Sequence, residues 1–317
     1  DIKKNILKNR IMKKKLLIVG GTGFLGHHLA KKCRTKFNLT SISLNKPKKE
    51  KKIKGVRYLI ADISKKDHLI KKIKTNFDIV INLGGYINHK NKDLAVKTHL
   101  NGCKNLVNFF KNKNIELFIQ IGSSTEYGKQ KSPNLENMKC NPRTIYAQSK
   151  LDASKYLINF FKKYSFPFVI LRFYQVYGPE QKQDRLIPMV INSCLENSRF
   201  NCSSGIQVKD FLYITDAIDA ISKCFNNNKI IGKIINVGSG QKISIKNLIL
   251  KIIREIGFGK PIFGVLKMRS DEPKKSYPSI KKAKKILLWK PKISLEKGLR
   301  MTISYYKDKK GKLLNER

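Results

Sequence analysis

Between residues 15 and 173 the chain alternates short apolar runs with stretches of helical periodicity. KLLIVG precedes FLGHHLAKKC; LTSISL, VRYLIAD and FDIVINLGG lead to HLNGCKNLVNFFK; LFIQIGSS leads to a helix from about Ile145; and FPFVILRFY closes the series. Strands that read as near-continuous apolar runs are buried on both faces, and helices between them are the crossovers that parallel pairing requires. The pattern predicts an α/β fold with a doubly wound parallel sheet. After Gly178 and Pro179 it loosens into a helix near Ile187 to Leu195, a strand near Asp210 to Ile214, a helix from Asp216, the strand IINVG and a lysine-rich tail. The expected organisation is an N-terminal extension over 1–11 and a main domain over 12–178 with returning segments at about 207–237. A smaller interleaved C-terminal lobe takes 179–206 and 238–317.

GGTGFLG follows the first of these strands and opens a helix, with Gly20, Gly23 and Gly26 at the spacing GxxGxxG. The turn needs a residue without a side chain, a pyrophosphate needs close backbone approach, and the helix must pack on its strand. The helix N-terminus adds amide donors and a favourable dipole. A dinucleotide-binding Rossmann domain is expected, with NAD or NADP as cofactor. An Asp or Glu near the end of the second strand would hold the adenosine ribose of NAD, but the chain reads SLNKPKK there. Asn45 does not repel a 2'-phosphate, and Lys46, Lys48 and Lys49 attract one, which leans to NADP. Asp62, after the third strand, is a candidate for the adenine edge or a plain loop residue.

YAQSK places Tyr146 and Lys150 one helical turn apart. In the residues that follow, Gln148, Asp152, Lys155, Asn159 and Lys162 form a polar stripe, whereas Lys150 falls in the stripe of Tyr146, Ala153, Leu157 and Phe160. A phenol with a reference pKa of ~10 is a poor base at neutral pH. Beside a redox cofactor, an adjacent ammonium would stabilise the tyrosinate, so Lys150 is expected to lower Tyr146 and to bind the nicotinamide ribose. Without the glycine loop, a lysine snorkelling beside a core tyrosine would be the better explanation. IGSSTEYG ends an apolar strand, where open α/β sheets bind ligands, and Ser123 or Ser124 is placed to hydrogen-bond the reacting oxygen.

GGTGFLG, ADI, INLGG, IGSSTEYG, YAQSK and LRFYQVYGP, in this order, resemble the extended short-chain dehydrogenase/reductase family of nucleotide-sugar epimerases, dehydratases and reductases. The resemblance continues through GIQVKDFLYITDAIDAI, INVGSG and RSDEP to LLWKPKISLEKGL, from Met12 to about residue 305. It implies a nucleoside-diphosphate sugar and a catalytic set of Ser123, Tyr146 and Lys150, the serine being fixed by counting back from Tyr127. It implies cofactor contacts from Gly20, Gly23, Phe24, Leu25, Gly26, Asn45, Asp62, Ile63, Leu83 and Gly84, together with Tyr146 and Lys150. Substrate contacts are implied for Ser124, Gln175, Lys209, Arg269 and Glu272.

The chain departs from the family pattern at several positions. His99 stands where the family has Asn, which bears on a helix kink or a proton path. Gln175 replaces the Asn of RxxNxYGP, and Lys209 replaces an Arg, keeping its charge but losing bidentate geometry. Arg269 matches a pyrophosphate arginine and Glu272 more weakly a nucleoside-end acid, with a surface salt bridge the plainer alternative for both. A 4,6-dehydratase carries Asp and Glu after its catalytic Thr, positions held here by Ser124 and Thr125, so dehydration requires a one-residue slip onto Glu126. What remains is hydride transfer at the sugar C4, as a 4-epimerase or a 4-ketoreductase.

The formal charge of +45 raises a second class, a nucleic-acid-binding relative without catalysis, and a third, a protein of the membrane surface. Lysine predominates chain-wide, so the charge reads mainly as a compositional bias and nucleic acid is not the expected partner. Six scattered cysteines without a CxxC pair suggest neither a metal site nor disulfides and fit a reducing cytoplasm. No apolar run is long enough to span a membrane. DIKKNILKNRI lacks a signal-peptide core and reads as an upstream extension of no catalytic part. The resemblance implies a homodimer through the helix of Tyr146 and the helix near His99 to Lys111, and a place in polysaccharide synthesis.

Overall fold

The first strand, β1 (Lys15–Val19), shows how the core is divided. Leu16 and Ile18 join one apolar layer, Leu17 and Val19 the other, and all four are at most 2% exposed. A strand buried on both faces needs helices on both sides of its sheet. The structure, a computed structural model, describes residues 13–85 and 92–315; the expected extension over 1–11 lies outside them. It bears out the doubly wound sheet.

β2 (Asn38–Ser43), β3 (Val56–Ile60), β4 (Ile79–Asn82), β5 (Leu117–Ser123) and β6 (Phe168–Phe173) join β1 in one parallel sheet, β1 pairing with β2 and β4, β2 with β3, β4 with β5 and β5 with β6. Three short ribbons interleave with them. β7 (Gln175–Tyr177) pairs with β10 (Phe211–Tyr213), β8 (Arg199–Asn201) with β13 (Lys260–Ile262), and β9 (Val208–Lys209) lies between β12 (Ile243–Ser244) and β14 (Lys275–Ser276). β11 (Lys233–Val237) returns to the main sheet, giving seven strands in the order β11-β6-β5-β4-β1-β2-β3. The order reverses between β1 and β4, so the strand ends Val19, Asn82 and Ser123 open onto one crevice.

The helices are α1 (Phe24–Cys33), α2 (Lys66–Lys72), α3 (Lys92–Val96), α4 (Gly102–Phe110), α5 (Ile145–Tyr164), α6 (Leu186–Leu195), α7 (Ile214–Ser222), α8 (Ile245–Ile256) and α9 (Leu295–Asn315). A π-helical turn over Lys97–Asn101 joins α3 to α4 and carries His99. In α5 the Thr144 hydroxyl caps the Ala147 amide at 3.1 Å, and Ser165 ends the helix with φ 51°. Its buried face holds Lys150, Ala153, Leu157 and Phe160, while Gln148, Lys155, Asn159 and Lys162 are exposed, as the periodicity predicts. Among the described residues no helix is long and apolar enough to cross a membrane.

Candidate active site

Gly20 and Gly26 leave no room for a side chain. Gly20 has φ +80°, and a methyl group on it would lie 3.1 Å from the Leu83 carbonyl and 3.2 Å from the Gly84 nitrogen. One on Gly26 would lie 2.2 Å from Gly20 O and 2.6 Å from Gly21 Cα, so this glycine lets α1 close onto β1. Gly23 is exposed, caps α1 in an extended conformation and supplies no side-chain cap, leaving the first amides of the helix without one. The Thr22 amide donates to Ser43 Oγ at 3.2 Å, pinning the loop to the end of β2. Phe24 and Leu25 turn partly into the core.

Ser123, the last residue of β5, is held on three sides. Its amide donates to Glu126 Oε1 at 2.8 Å, and its Oγ accepts from the Thr125 amide at 3.2 Å and the Thr125 hydroxyl at 2.8 Å. With both lone pairs of the oxygen engaged, the serine's own proton is left for the Tyr146 hydroxyl, with which Ser123 is hydrogen-bonded. Ser124 is buried in the following turn. Lys150 is 6% exposed, and its Nζ donates to the Ile121 carbonyl at 3.0 Å. Burial lowers its pKa to about 8, against the opposing charges of Glu126 and Cys103.

The sequence predicts a lowered phenol, and here the structure differs. Burial raises the Tyr146 pKa and outweighs the Ser123 hydrogen bond and the Arg185 charge, both of which pull it down. The counter-charge that acts on the phenol here is Arg185, at the start of α6.

Tyr146 and the glycine loop share a wall. The segment that crowds Gly20 continues from Leu83 and Gly84 to Gly85, where a methyl group would lie 3.0 Å from His99 Nε2 and 3.8 Å from Lys150 Nζ. The His99 ring in turn meets the Tyr146 ring edge-on, with centroids 4.9 Å apart. The loop after β4 thus runs from the expected phosphate cradle to the expected reacting centre. Ile63 packs over Gly84 and Gly102, where a methyl group would meet its Cδ1 at 2.9 Å and 2.7 Å.

Glu126 is fully buried and committed. Besides the Ser123 amide it accepts from Ser154 Oγ at 3.0 Å and Arg172 Nε at 2.9 Å, and it pairs with Arg172 Nη2 at 2.9 Å. Both oxygens are used in the core. Asp62 likewise spends Oδ1 on Ser64, accepting from its amide at 2.9 Å and its hydroxyl at 2.7 Å. Asn45 is exposed in the loop after β2, as are Lys46, Lys48 and Lys49.

The expected substrate contacts form a second group. Lys209 is buried and bonds Glu272 Oε1 and the Pro273 carbonyl, both at 3.1 Å, while Gln207 reaches Glu272 Oε2 at 3.3 Å. Arg269 makes a two-pronged pair with Asp271 at 3.1 and 2.8 Å and remains largely exposed. Gln175 is exposed on β7, its amide bonded to the Asp210 carbonyl at 3.2 Å.

Residues 16–238 match the NAD dependent epimerase/dehydratase family. The chain belongs to that family. An uncharacterized UDP-glucose epimerase of Bacillus subtilis is 25% identical over 311 residues, covering 92% of this chain and 97% of its own. The human dTDP-D-glucose 4,6-dehydratase is 27% identical over 93% of this chain and 90% of its own. The crystal structure of the UDP-glucuronic acid 4-epimerase of Bacillus cereus, in complex with UDP-glucuronic acid and NAD, superposes with a TM-score of 0.83. It is 26% identical and covers 93% of this chain and 99% of that one.

Within this epimerase/dehydratase chain, sequence reasoning missed Arg185, Thr125 and Gln207. Arg185 follows the YGP turn by a loop whose path no local pattern predicts. Thr125 was legible only as the place of an absent acid, although its hydroxyl orients Ser123.

Proposed function

We propose that this chain acts at C4 of a nucleoside-diphosphate sugar, with 4-epimerisation as its reaction. The shared wall at Leu83 to Gly85 carries the proposal, because it lets one extended cofactor reach from the glycine loop to Tyr146. The cradle fits a dinucleotide: the crowding at Gly20 and Gly26 and the open amides of α1 would receive its pyrophosphate. Leu83, Gly84 and Ile63 would line its path, with Asp62 Oδ2 towards the adenine end. Bound there, the nicotinamide supplies a reversible acceptor for the sugar's C4 hydrogen and its electron pair.

The protein's part is to hold and move the proton on O4. Tyr146 receives it from the alcohol and returns it to the ketone, and Ser123 holds the phenol oxygen through its own hydroxyl proton. Arg185 favours the charged phenol. Lys209 and Arg269 would exchange their carboxylate partners for the diphosphate, with Gln175 and Ser124 beside the sugar; Arg269 belongs to the lobe of 179–206 and 238–317, and Lys209 to the returning segment at about 207–237. Dehydration is disfavoured because Ser124 and Thr125 cannot work as an acid and a base. Net reduction of a 4-keto sugar is the second reading, favoured by Asn45, Lys46, Lys48 and Lys49, whose charge suits NADP better than NAD. A homodimer through α4 and α5, a cytoplasmic location and UDP as the nucleotide are part of the proposal.

The test is incubation of the purified chain with UDP-glucose or UDP-glucuronic acid and NAD, with the C4 epimer followed by proton NMR. A parallel reaction with dTDP-4-keto-6-deoxyglucose and NADPH is followed by loss of NADPH absorbance. Epimer formation supports the first reading and NADPH oxidation the second. Neither product from folded protein that binds the dinucleotide contradicts both.

A further inference from the structure

Three elements around the candidate site meet on one carboxylate. Glu126 Oε1 accepts from the Ser123 amide at 2.8 Å, at the end of β5. Its Oε2 accepts from Arg172 Nε on β6 at 2.9 Å and from the Ser154 hydroxyl at 3.0 Å, and that hydroxyl also reaches the Lys150 carbonyl at 3.1 Å, one turn back along α5. The Lys150 ammonium and this carboxylate grip the same strand two residues apart, at the Ile121 carbonyl and the Ser123 amide. Gly122 lies between them, and a methyl group on it would lie 2.7 Å from Glu126 Oε1, so glycine leaves the carboxylate its place. A buried ion pair is poor evidence of stability, because well-packed neutral residues of similar volume often serve as well. The reason for this one lies in where it stands.

We propose that Glu126 is a positioning residue for Ser123, Tyr146 and Lys150, fixing the Ser123 end of β5 against α5 and standing as counter-charge to the Lys150 ammonium. The proposal deepens the C4 reading and, for its kinetic part, rests on it. Burial pushes the Lys150 pKa down to about 8, and of the two groups that oppose burial Glu126, in the turn after β5, acts more strongly than Cys103 of α4. Burial also pushes the Cys103 thiol up to about 12, so near neutral pH it is uncharged and the carboxylate is the negative charge acting on the amine. The other titratable neighbours are Tyr146, one turn earlier on the same helix, and His99 of the π-helical turn, which faces the wall at Gly85 as the amine does. Arg172 pairs with the far side of this arrangement from β6, balancing the carboxylate within the core.

Two measurements on the full chain test this. Glu126→Gln keeps an acceptor for the Ser123 amide but strands Arg172, so Glu126→Gln combined with Arg172→Met is made beside it to leave a neutral, packed core. The first measurement is the pH profile of kcat/KM with whichever of UDP-glucose and UDP-glucuronic acid is turned over. In both variants the alkaline limb should move to lower pH by on the order of one unit, with KM on the acid side little changed. A double-variant profile superposable on the parent's overturns the proposal, because a merely structural pair can be replaced without moving the limb. The second measurement needs no turnover. Lys150→Met is introduced into the parent and into the double variant, and urea unfolding midpoints are compared at neutral pH. A buried ammonium without its counter-charge costs more, so Lys150→Met should shift the midpoint further upward in the double variant than in the parent. Equal shifts overturn the proposal. If neither UDP-sugar is turned over by the parent, the C4 reading falls, and the urea comparison alone decides this inference.

Discussion

The wall around Tyr146 is made of strand ends and backbone, whereas the cations Lys209, on the two-residue β9, and Arg269, in the loop between β13 and β14, are already paired with carboxylates. Ser123, Ile121, Leu83 and Gly85 extend from β5 and β4, central strands of a sheet buried on both faces. Their positions follow from the packing of the whole domain, so the hydrogen-bond directions at Ser123 are fixed before any substrate arrives. β9 has only two residues, and Arg269 is more exposed than buried. On the proposed reading, the comparison teaches that chemistry is pre-organised here, while substrate recognition requires an exchange of partners. Substitutions in the first region should therefore act on rate and folding, and those in the second on binding.

The largest effect should come from Tyr146→Phe, which removes the proton carrier and leaves the ring. It is expected to lower kcat by about 10²–10⁴-fold with KM nearly unchanged, read from initial rates of C4 epimer formation. Next comes Glu126→Ala, which strands Arg172 in the core and releases the Ser123 amide. It should cost about 3–5 kcal/mol of stability in urea unfolding, and a loss below about 1 kcal/mol would break the claim that this end is rigidly built. Lys209→Ala should raise KM for the UDP-sugar about 10-fold with kcat largely kept, as expected for a charge-assisted hydrogen bond to the diphosphate. The smallest effect should be that of Asp271→Asn. An exposed pair is worth at most about 1 kcal/mol, so stability should hardly change, while KM falls a few-fold because Arg269 is freed.

The pH dependence sharpens the same contrast. Burial disfavours the charge of Lys150 and pushes its pKa down to about 8. As pH rises through that value the amine loses its proton, and on the proposed reading, in which the charged amine binds the nicotinamide ribose, kcat/KM should decline on the alkaline side. Lys209→Ala should change the height of this profile and leave the position of its alkaline limb alone.

Most of the fold was legible in the sequence because β1 and its neighbours are apolar on both faces, and because α5 keeps a strict stripe around Lys150. The glycine loop was legible for the same reason: local geometry forces local residue types. The Glu126–Arg172 pair was not, since it joins residues 46 apart through the core, and no spacing rule reports it. The Lys150 bond to Ile121 O and the raised phenol of Tyr146 depend on tertiary burial, which reverses the expectation drawn from two residues one turn apart. His99 could be flagged as a departure, but its contacts with Ser149 and the Tyr146 ring are visible only with α5 packed against the π-helical turn.

A crystal structure of the chain with NAD bound is the most direct test of the central claim. The account predicts the pyrophosphate on the amides between Gly20 and Gly26 and the nicotinamide ring against Gly85, beside the Tyr146 hydroxyl. A dinucleotide bound with its nicotinamide away from Tyr146, or at any other place on the molecule, would contradict it.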